Sequence, residues 1–286
     1  FLMLGFSSDY GQILLIIVIL LTMIFGGLFS LLLAYASINL KADQTIGGTA
    51  LNLLAPAIVL FLILIISQQN VLNIDSKYSS ADLFMLFQED FGLGTKTENP
   101  LGVIGNILFN KVYLTTIYSI VLFIFLSIIL YKTKFGLRLR SCGEHPQAAD
   151  SAGINVYKMR YIGTIISGSL AAFGGFIYAL TAAGCTSNGD VAGLGFLALA
   201  VMIFGNWKPL SIVLAALLFG ALKCISVGYA YIDFNNDGIY FLTKLGISSH
   251  FYRILPYLIT LVVLAFTSKK SRAPKAEGQP YDKGKR

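Results

Sequence analysis

Long apolar stretches separated by short polar breaks set the pattern of this chain. Residues 13–34, 45–66, 112–131 and 161–182 are almost wholly apolar, the first interrupted only by Gly26-Gly27. Each approaches the roughly 20 residues a helix needs to cross a hydrocarbon core about 30 Å thick. Residues 194–204 are equally apolar but reach only about half a membrane. They read either as a broken helix or as one extended back through the Gly-containing run 190–193. Asn206-Trp207-Lys208-Pro209 turns the chain into a sixth segment, 210–228, and a last one covers 251–266 with Pro256 as a kink. The pattern predicts an all-α, polytopic helical membrane protein of about seven membrane segments. Tyr113 and Tyr131 bracket the third segment where aromatic residues sit at a membrane interface. In the fourth, Thr164, Gly168, Ala171 and Gly175 recur at spacings of four, three and four, and small residues so spaced let helices approach closely in lipid.

The polar intervals give the orientation. Residues 67–111 hold Asp75, Asp82, Glu89, Asp90 and Glu98 against Lys77, Lys96 and Lys111, and within them 81–87 reads as a short surface helix. The loop 132–160 carries Lys132, Lys134, Arg138, Arg140, Lys158 and Arg160. The tail 268–286 carries Lys269, Lys270, Arg272, Lys275, Lys283, Lys285 and Arg286. An excess of Lys and Arg marks cytoplasmic loops. Threading seven segments puts both basic regions on that side and 67–111 and 229–250 outside. Residues 1–267 then form one transmembrane domain, and the basic, Pro/Gly-containing tail is expected to be disordered. The same threading leaves Phe1 outside, so the reading expects an N-terminally truncated chain that lacks an odd number of upstream spans.

Composition agrees with a lipid environment. Charged residues make up 12 % of the 286 positions, about half the share of a soluble domain. The net charge of +7 lies in loops on one side and is not a nucleic-acid signal. Cys142, Cys185 and Cys224 match no metal or redox spacing, and His145 and His250 stand alone, so no metal or cofactor is expected. Asp233-Phe234-Asn235-Asn236-Asp237-Gly238 opens like a calcium loop, but the twelfth position, which needs a bidentate Glu, is Lys244. Lys223, in the outer half of the sixth segment, reads as snorkelling to the interface.

One polar island stands out inside the basic loop: Gly143-Glu144-His145-Pro146-Gln147-Ala148-Ala149-Asp150-Ser151-Ala152-Gly153-Ile154. Pro146 suits a first helical position and Gly153 the left-handed residue after the last turn. Gln147, Ala148 and Ala149 are good helix formers between these stops. The reading is a free-standing helix of about two turns that docks, with Glu144 and His145, into a groove on a cytoplasmic partner. The alternative is an ordinary loop with an incidental turn of helix.

The run from Phe135 to Val156 resembles the coupling-loop signature of ABC importer permeases of the ribose, branched-chain amino acid and nucleoside branch. The Glu144-His145-Pro146 variant, with Gly-Thr-Ala-Leu-Asn-Leu-Leu-Ala at 48–55 and Gly-Asn-Trp-Lys-Pro-Leu at 205–210, looks most like purine-nucleoside permeases. The resemblance covers the chain from about residue 28 onward. It implies a coupling helix carried by Gly143, Glu144, His145, Pro146, Ala148, Ala149, Gly153 and Ile154. It also implies a cytoplasmic ABC ATPase, a second permease chain (a sister rather than an identical copy), and an extracellular lipoprotein that delivers the solute. The chain has no Gly-x-x-x-x-Gly-Lys-Ser/Thr phosphate loop, so ATP hydrolysis falls to another subunit.

For the solute pathway, Thr45, Thr49 and Asn52 fall near one face of the second segment, with Pro56 a turn further on. An amide in hydrocarbon needs a partner, so such residues face the bundle interior or a cavity. Asn52 then either hydrogen-bonds a passing solute or holds two helices together. Ser167, Ser169, Phe173, Phe176 and Tyr178 offer polar and aromatic groups in the fourth segment, with packing as the plainer role. Few charges along the pathway suit a small neutral or zwitterionic solute. This leaves sugars and branched-chain amino acids beside nucleosides, which only the resemblance favours. A secondary transporter would need an ionisable residue deep in a span, where Lys223 stands almost alone. An intramembrane enzyme would need paired acids, a Ser/Lys pair or clustered histidines, and none is present.

Overall fold

The computed structural model describes residues 11–69, 71–73, 85–87, 111–181, 186, 187, 189, 191, 193–228, 251, 254, 258, 259, 261 and 273–284. They form two compact units, residues 1–190 with 275–286, and residues 191–274.

The first unit is built on α1 (Gly11–Ile38), α2 (Gln44–Ser67), α3 (Leu114–Lys132) and α6 (Val156–Thr181). Between α3 and α6 lie two shorter helices, α4 (Lys134–Glu144) and α5 (Pro146–Ser151). Short strands complete it. β1 (Leu72–Asn73) pairs antiparallel with β4 (Thr186–Ser187), and β2 (Met85–Phe87) with β3 (Lys111–Tyr113). The long helices are apolar on every side, and Ile16, Leu20, Phe25, Leu53, Phe61, Ile124 and many more stay exposed within the chain. A helix with no polar face can be stable only when lipid or protein covers it. Several hydroxyls in these spans are satisfied by their own helix: Thr22 donates to the Val18 carbonyl, Ser37 to Leu33 and Thr164 to Arg160.

α1 and α6 are antiparallel and in close contact, because small residues meet along the seam. A Cβ on Gly168 would lie 2.6 Å from Ser30 Oγ and 2.7 Å from the Gly26 carbonyl oxygen, and one on Gly27 would lie 2.8 Å from Ser169 Oγ. Tyr161 at the start of α6 donates to Asn39 Oδ1 just past α1 at 2.8 Å, which fixes the register. The α1–α2 turn is closed by Asp43, whose carboxylate caps α2 by accepting from the Thr45 and Ile46 N–H groups at 2.7 and 3.3 Å. Those bonds hold its carboxyl below the usual carboxylate range. At the other ends of α2 and α6, the β1–β4 pair ties the outgoing chains together.

In the second unit, α7 (Leu194–Phe204) and α8 (Pro209–Gly228) form a hairpin over Val201, Ala215 and Phe219. Gly205 allows its tight corner, since a Cβ there would lie 2.6 Å from the Ile212 nitrogen. Asn206 and Trp207 follow with φ of 53° and 56°.

Five helices among the described residues are long and apolar enough to span a membrane, namely α1, α2, α3, α6 and α8. α7 has 11 residues, too few to cross as a single helix. Of the last predicted segment, Phe251, Ile254, Leu258, Ile259 and Leu261 are described and helical; the calcium-like run 233–238 lies outside the described residues. One expectation needs correction: the surface helix expected over 81–87 is a strand where it is described, at Met85–Phe87, because its backbone groups pair antiparallel with those of β3. The close-packed face of α6 is also turned from the predicted one. It uses Ile165, Gly168, Ser169 and Ala172, while Ala171 and Gly175 are exposed.

Candidate functional site

The candidate site is the joint between α3 and α6, where the chain turns back three times in about 24 residues. Thr133 starts α4 by accepting from the Gly136 N–H at 3.2 Å. Gly136 lets α4 fold tightly onto the last turn of α3, since a Cβ there would lie 2.6 Å from the Leu130 carbonyl carbon. Phe135, Leu139 and Cys142, at i, i+4 and i+7, form the inward stripe of α4. Lys134, Leu137, Arg138 and Arg140 lie on its exposed side, with the Arg140 guanidinium 4.7 Å from the Tyr131 ring centre.

His145 breaks the helical path, and Pro146 begins α5 at its first position, where the missing N–H costs nothing. After Ser151 the Gly153 N–H donates to the Asp150 carbonyl and the Ile154 N–H to that of Ala149. Gly153 takes φ +83°, a conformation that favours glycine. Asn155 then caps α6 by accepting from the Lys158 N–H at 3.0 Å.

α5 is not free-standing. At about 100° per residue, Pro146, Ala149 and Asp150 share one arc, and Gln147, Ala148, Ser151 and Ala152 the other. Pro146 and Ala149 are buried, whereas the opposite four are exposed together with Glu144 and His145. The buried arc rests on Cys142, Val156, Met159 and, from the tail, Tyr281, with Ile154 and Tyr157 packed at the margin. Tyr281 is 4 % exposed, which corrects the disorder expected of the tail. Burial of an apolar ring outweighs the polarity of the segment around it. Burial, then a hydrogen bond to Asp150, pushes the Tyr281 phenol above its usual range. Burial likewise pushes the Cys142 thiol up, partly opposed by Arg160.

The eight residues assigned to this stretch therefore divide. Glu144, His145, Ala148 and Gly153 face outward, Pro146 and Ala149 are buried, and Gly143 and Ile154 are half-buried. Gln147, Ser151 and Ala152 belong to the outward surface and were missed as individual residues. Their spacing from Ala148 was the available signal.

The candidate pathway residues are less concentrated. Thr45, Thr49 and Asn52 do share an exposed face of α2. Pro56 adds something to it: lacking an N–H, it cannot donate to the Asn52 carbonyl four residues earlier. Asn52 therefore presents a side-chain amide and a carbonyl relieved of its helical donor at one depth. Ser167 is exposed and Phe173 half-buried, about 120° apart around α6, so these two do not share a face. Among the described residues no group of His, Cys, Asp and Glu could hold a metal ion.

Comparison with known proteins gives the family. The family profile described as the permease component of the branched-chain amino acid transport system matches residues 1–264. The nucleoside ABC transporter permease protein NupC of Lactococcus lactis is 40 % identical over 267 residues, covering 93 % of this chain and 78 % of that protein. The guanosine ABC transporter permease protein NupQ of Bacillus subtilis is 39 % identical over 268 residues, covering 94 % and 78 %. A second L. lactis nucleoside permease protein, NupB, is 26 % identical over 235 residues, covering 81 % and 60 %. No solved structure matches the chain. With membrane-length apolar helices, a family match along nearly its whole length and relatives of this identity, the chain belongs to the family of branched-chain amino acid transport system permease components and is a multi-pass membrane subunit of an ABC transporter.

Proposed function

We propose that this permease subunit carries nucleosides inward and that the outward arc of α5 is the surface on which an ATPase subunit acts. The observation that carries the solute class is the likeness to NupC and NupQ, two relatives named for nucleosides and guanosine. The docking role rests on a helix with two distinct arcs. One arc is backed by the hydrophobic cluster, and the other offers Glu144, His145, Gln147, Ala148, Ser151 and Ala152. Small residues at Ala148 and Ala152 let a partner approach the backbone, and Glu144 gives a charge to pair. Gly143, Pro146, Ala149, Gly153 and Ile154 shape the helix and seat it from behind. The orientation that puts this joint in the cytoplasm and residues 67–111 outside, where a lipoprotein would deliver solute, belongs to the same reading.

Asn52, with Thr45 and Thr49, is proposed to line the pathway, because an exposed amide at membrane depth needs a polar neighbour. The second permease chain is proposed to be a sister. L. lactis has two proteins of this kind, and this chain is closer to NupC than to NupB, as expected if each seat has its own type.

Uptake of radiolabelled guanosine tests the proposal in cells that carry wild type or Glu144→Arg at equal membrane abundance. The substitution is expected to abolish uptake. Undiminished uptake removes α5 from the mechanism. Competition by ribose or leucine, but not by unlabelled nucleoside, would move the solute to another class. Uptake that persists after ATP depletion and collapses with an ionophore would overturn the ATP-driven reading altogether.

A further inference from the structure

We propose that residues 275–284 are a strap that holds α5 in register with α1 and α6, and that Tyr281 is its anchor and a positioning residue for coupling. The proposal rests on the reading of α5 as the ATPase-docking helix.

Six contacts between residues 276 and 282 reach three separate parts of the first unit. The Ala276 N–H donates to the Gly143 carbonyl at 3.0 Å, at the α4–α5 break. Arg160 in the first turn and a half of α6 donates from Nη1 to the Gln279 carbonyl at 2.9 Å, and its guanidinium lies 6.0 Å from the Tyr281 ring centre. Tyr281 fills the pocket with Cys142, Ala149, Val156 and Met159, edge-on to Tyr157 at 5.3 Å between ring centres. Asp282 then pairs with Lys41 of the α1–α2 turn at 3.0 Å.

α5 needs such support. An isolated helix shorter than about 12 residues is marginal in water, and α5 has six. Its shape is kept by what packs on its buried arc, and one wall of that pocket comes from the tail. Without the ring of Tyr281, Ala149 and Cys142 would open to water and α5 could yield under load rather than pass the load to α6. The strap also joins α5 to the α1–α2 turn through Asp282 and Lys41.

Cys142 reports on strap docking, because it is 3 % exposed beneath the strap and free. The test uses the permease in its complete transporter, reconstituted in proteoliposomes, with Cys185→Ser and Cys224→Ser, and alkylation is read at the Cys142 peptide by mass spectrometry. Two quantities are read: the rate of Cys142 alkylation by N-ethylmaleimide, and guanosine taken up per ATP hydrolysed. In Tyr281→Ala, and equally in a chain ending at Pro274, alkylation is expected to accelerate by at least about tenfold, as a thiol that reacted only through local opening becomes accessible. Uptake per ATP is expected to fall severalfold while ATP hydrolysis continues. Tyr281→Phe keeps the ring and is expected to stay within about twofold of wild type in alkylation, since packing rather than the hydroxyl covers the thiol.

Unchanged alkylation in both Tyr281→Ala and the shortened chain would overturn the strap. Faster alkylation with unchanged uptake per ATP would overturn its positioning role. Failure of the docking reading looks different: Glu144→Arg then leaves uptake intact, whatever Cys142 reports.

Discussion

The seam between α1 and α6 gives a quantitative test of what holds this chain together in lipid. Lipid tails are as apolar as the side chains, so helix association there depends on packing more than on escape from water. The perturbation is Gly168→Ala, and the control is Gly175→Ala two turns along the same helix. A Cβ on Gly168 meets the Gly26 carbonyl oxygen at 2.7 Å, about 0.7 Å short of the 3.4 Å at which ordinary contact begins. The obstacle is backbone and cannot rotate away. A Cβ on Gly175 meets nothing within 4 Å. If α1 backs off by that distance, on the order of 20 atom pairs worth about 0.1–0.2 kcal/mol each lose a quarter to a half of their attraction. That is roughly 1 kcal/mol, and overpacking strain brings the range to about 1–3 kcal/mol. Replacing a helical glycine gains about 0.8–1 kcal/mol at either site, so the gain cancels in the difference. Thermal unfolding of the purified chain in detergent should place Gly168→Ala below Gly175→Ala, with Gly175→Ala at or above wild type. Equal midpoints would show that α1 and α6 do not meet through these glycines.

Three further outcomes follow from the same geometry. Ala148→Leu and Ala149→Leu should separate docking from folding: Ala149→Leu overfills the pocket at a cost of about 1–3 kcal/mol and lowers the thermal midpoint. Ala148→Leu leaves the midpoint unchanged and reduces uptake. Gly136→Ala should unseat α4 from the end of α3, because its Cβ runs into backbone at Ile129 and Leu130, and faster amide exchange through 134–144 would report it. Asp43 has a carboxyl held low by its bonds to the Thr45 and Ile46 N–H groups, so its contribution to the α2 terminus is present above the unfolded aspartate value and lost as pH falls through the lower folded one. Protection of the Thr45 and Ile46 amides, measured against their intrinsic exchange rates, should fall under those acid conditions, and Asp43→Ala should show the low protection at neutral pH.

Hydrophobic runs made the spans legible, because a helix that meets lipid on every side leaves an unbroken apolar stretch. The stops at Pro146 and Gly153 made α5 legible for a similar reason: each residue type has a backbone consequence that acts locally. What was hidden depends on partners distant in sequence. Phe135, Leu139 and Cys142 carry a helical period, but their basic surroundings read as loop until α6 supplies the surface they cover. Tyr281 sits in a segment whose composition argues for disorder, and one ring with a ready pocket overrides that average. The α6 seam could be read as small-residue packing but not in its rotation, since Ala171 and Ala172 are chemically equal and only α1 distinguishes them. For the pathway, Thr45, Thr49 and Asn52 fall on one exposed face of α2 as their spacing implies, whereas Ser167 and Phe173 lie about 120° apart around α6.

A short helix can pass on force only if the surface that receives it differs from the surface that holds it. α5 satisfies this condition through its period alone: Gln147, Ala148, Ser151 and Ala152 face out, and Pro146 and Ala149 are backed by α4, α6 and the strap. A push on the outer arc therefore bears on Val156 and Met159, which lie in the first turns of α6. Further along, α6 meets α1 across glycines with no room for a methyl group, and close-packed interiors are poorly compressible. Under the proposed docking role, a displacement at α5 would be carried by α6 and α1 together rather than absorbed at the joint. Transmission of this kind suits switching between two arrangements better than gradual deformation.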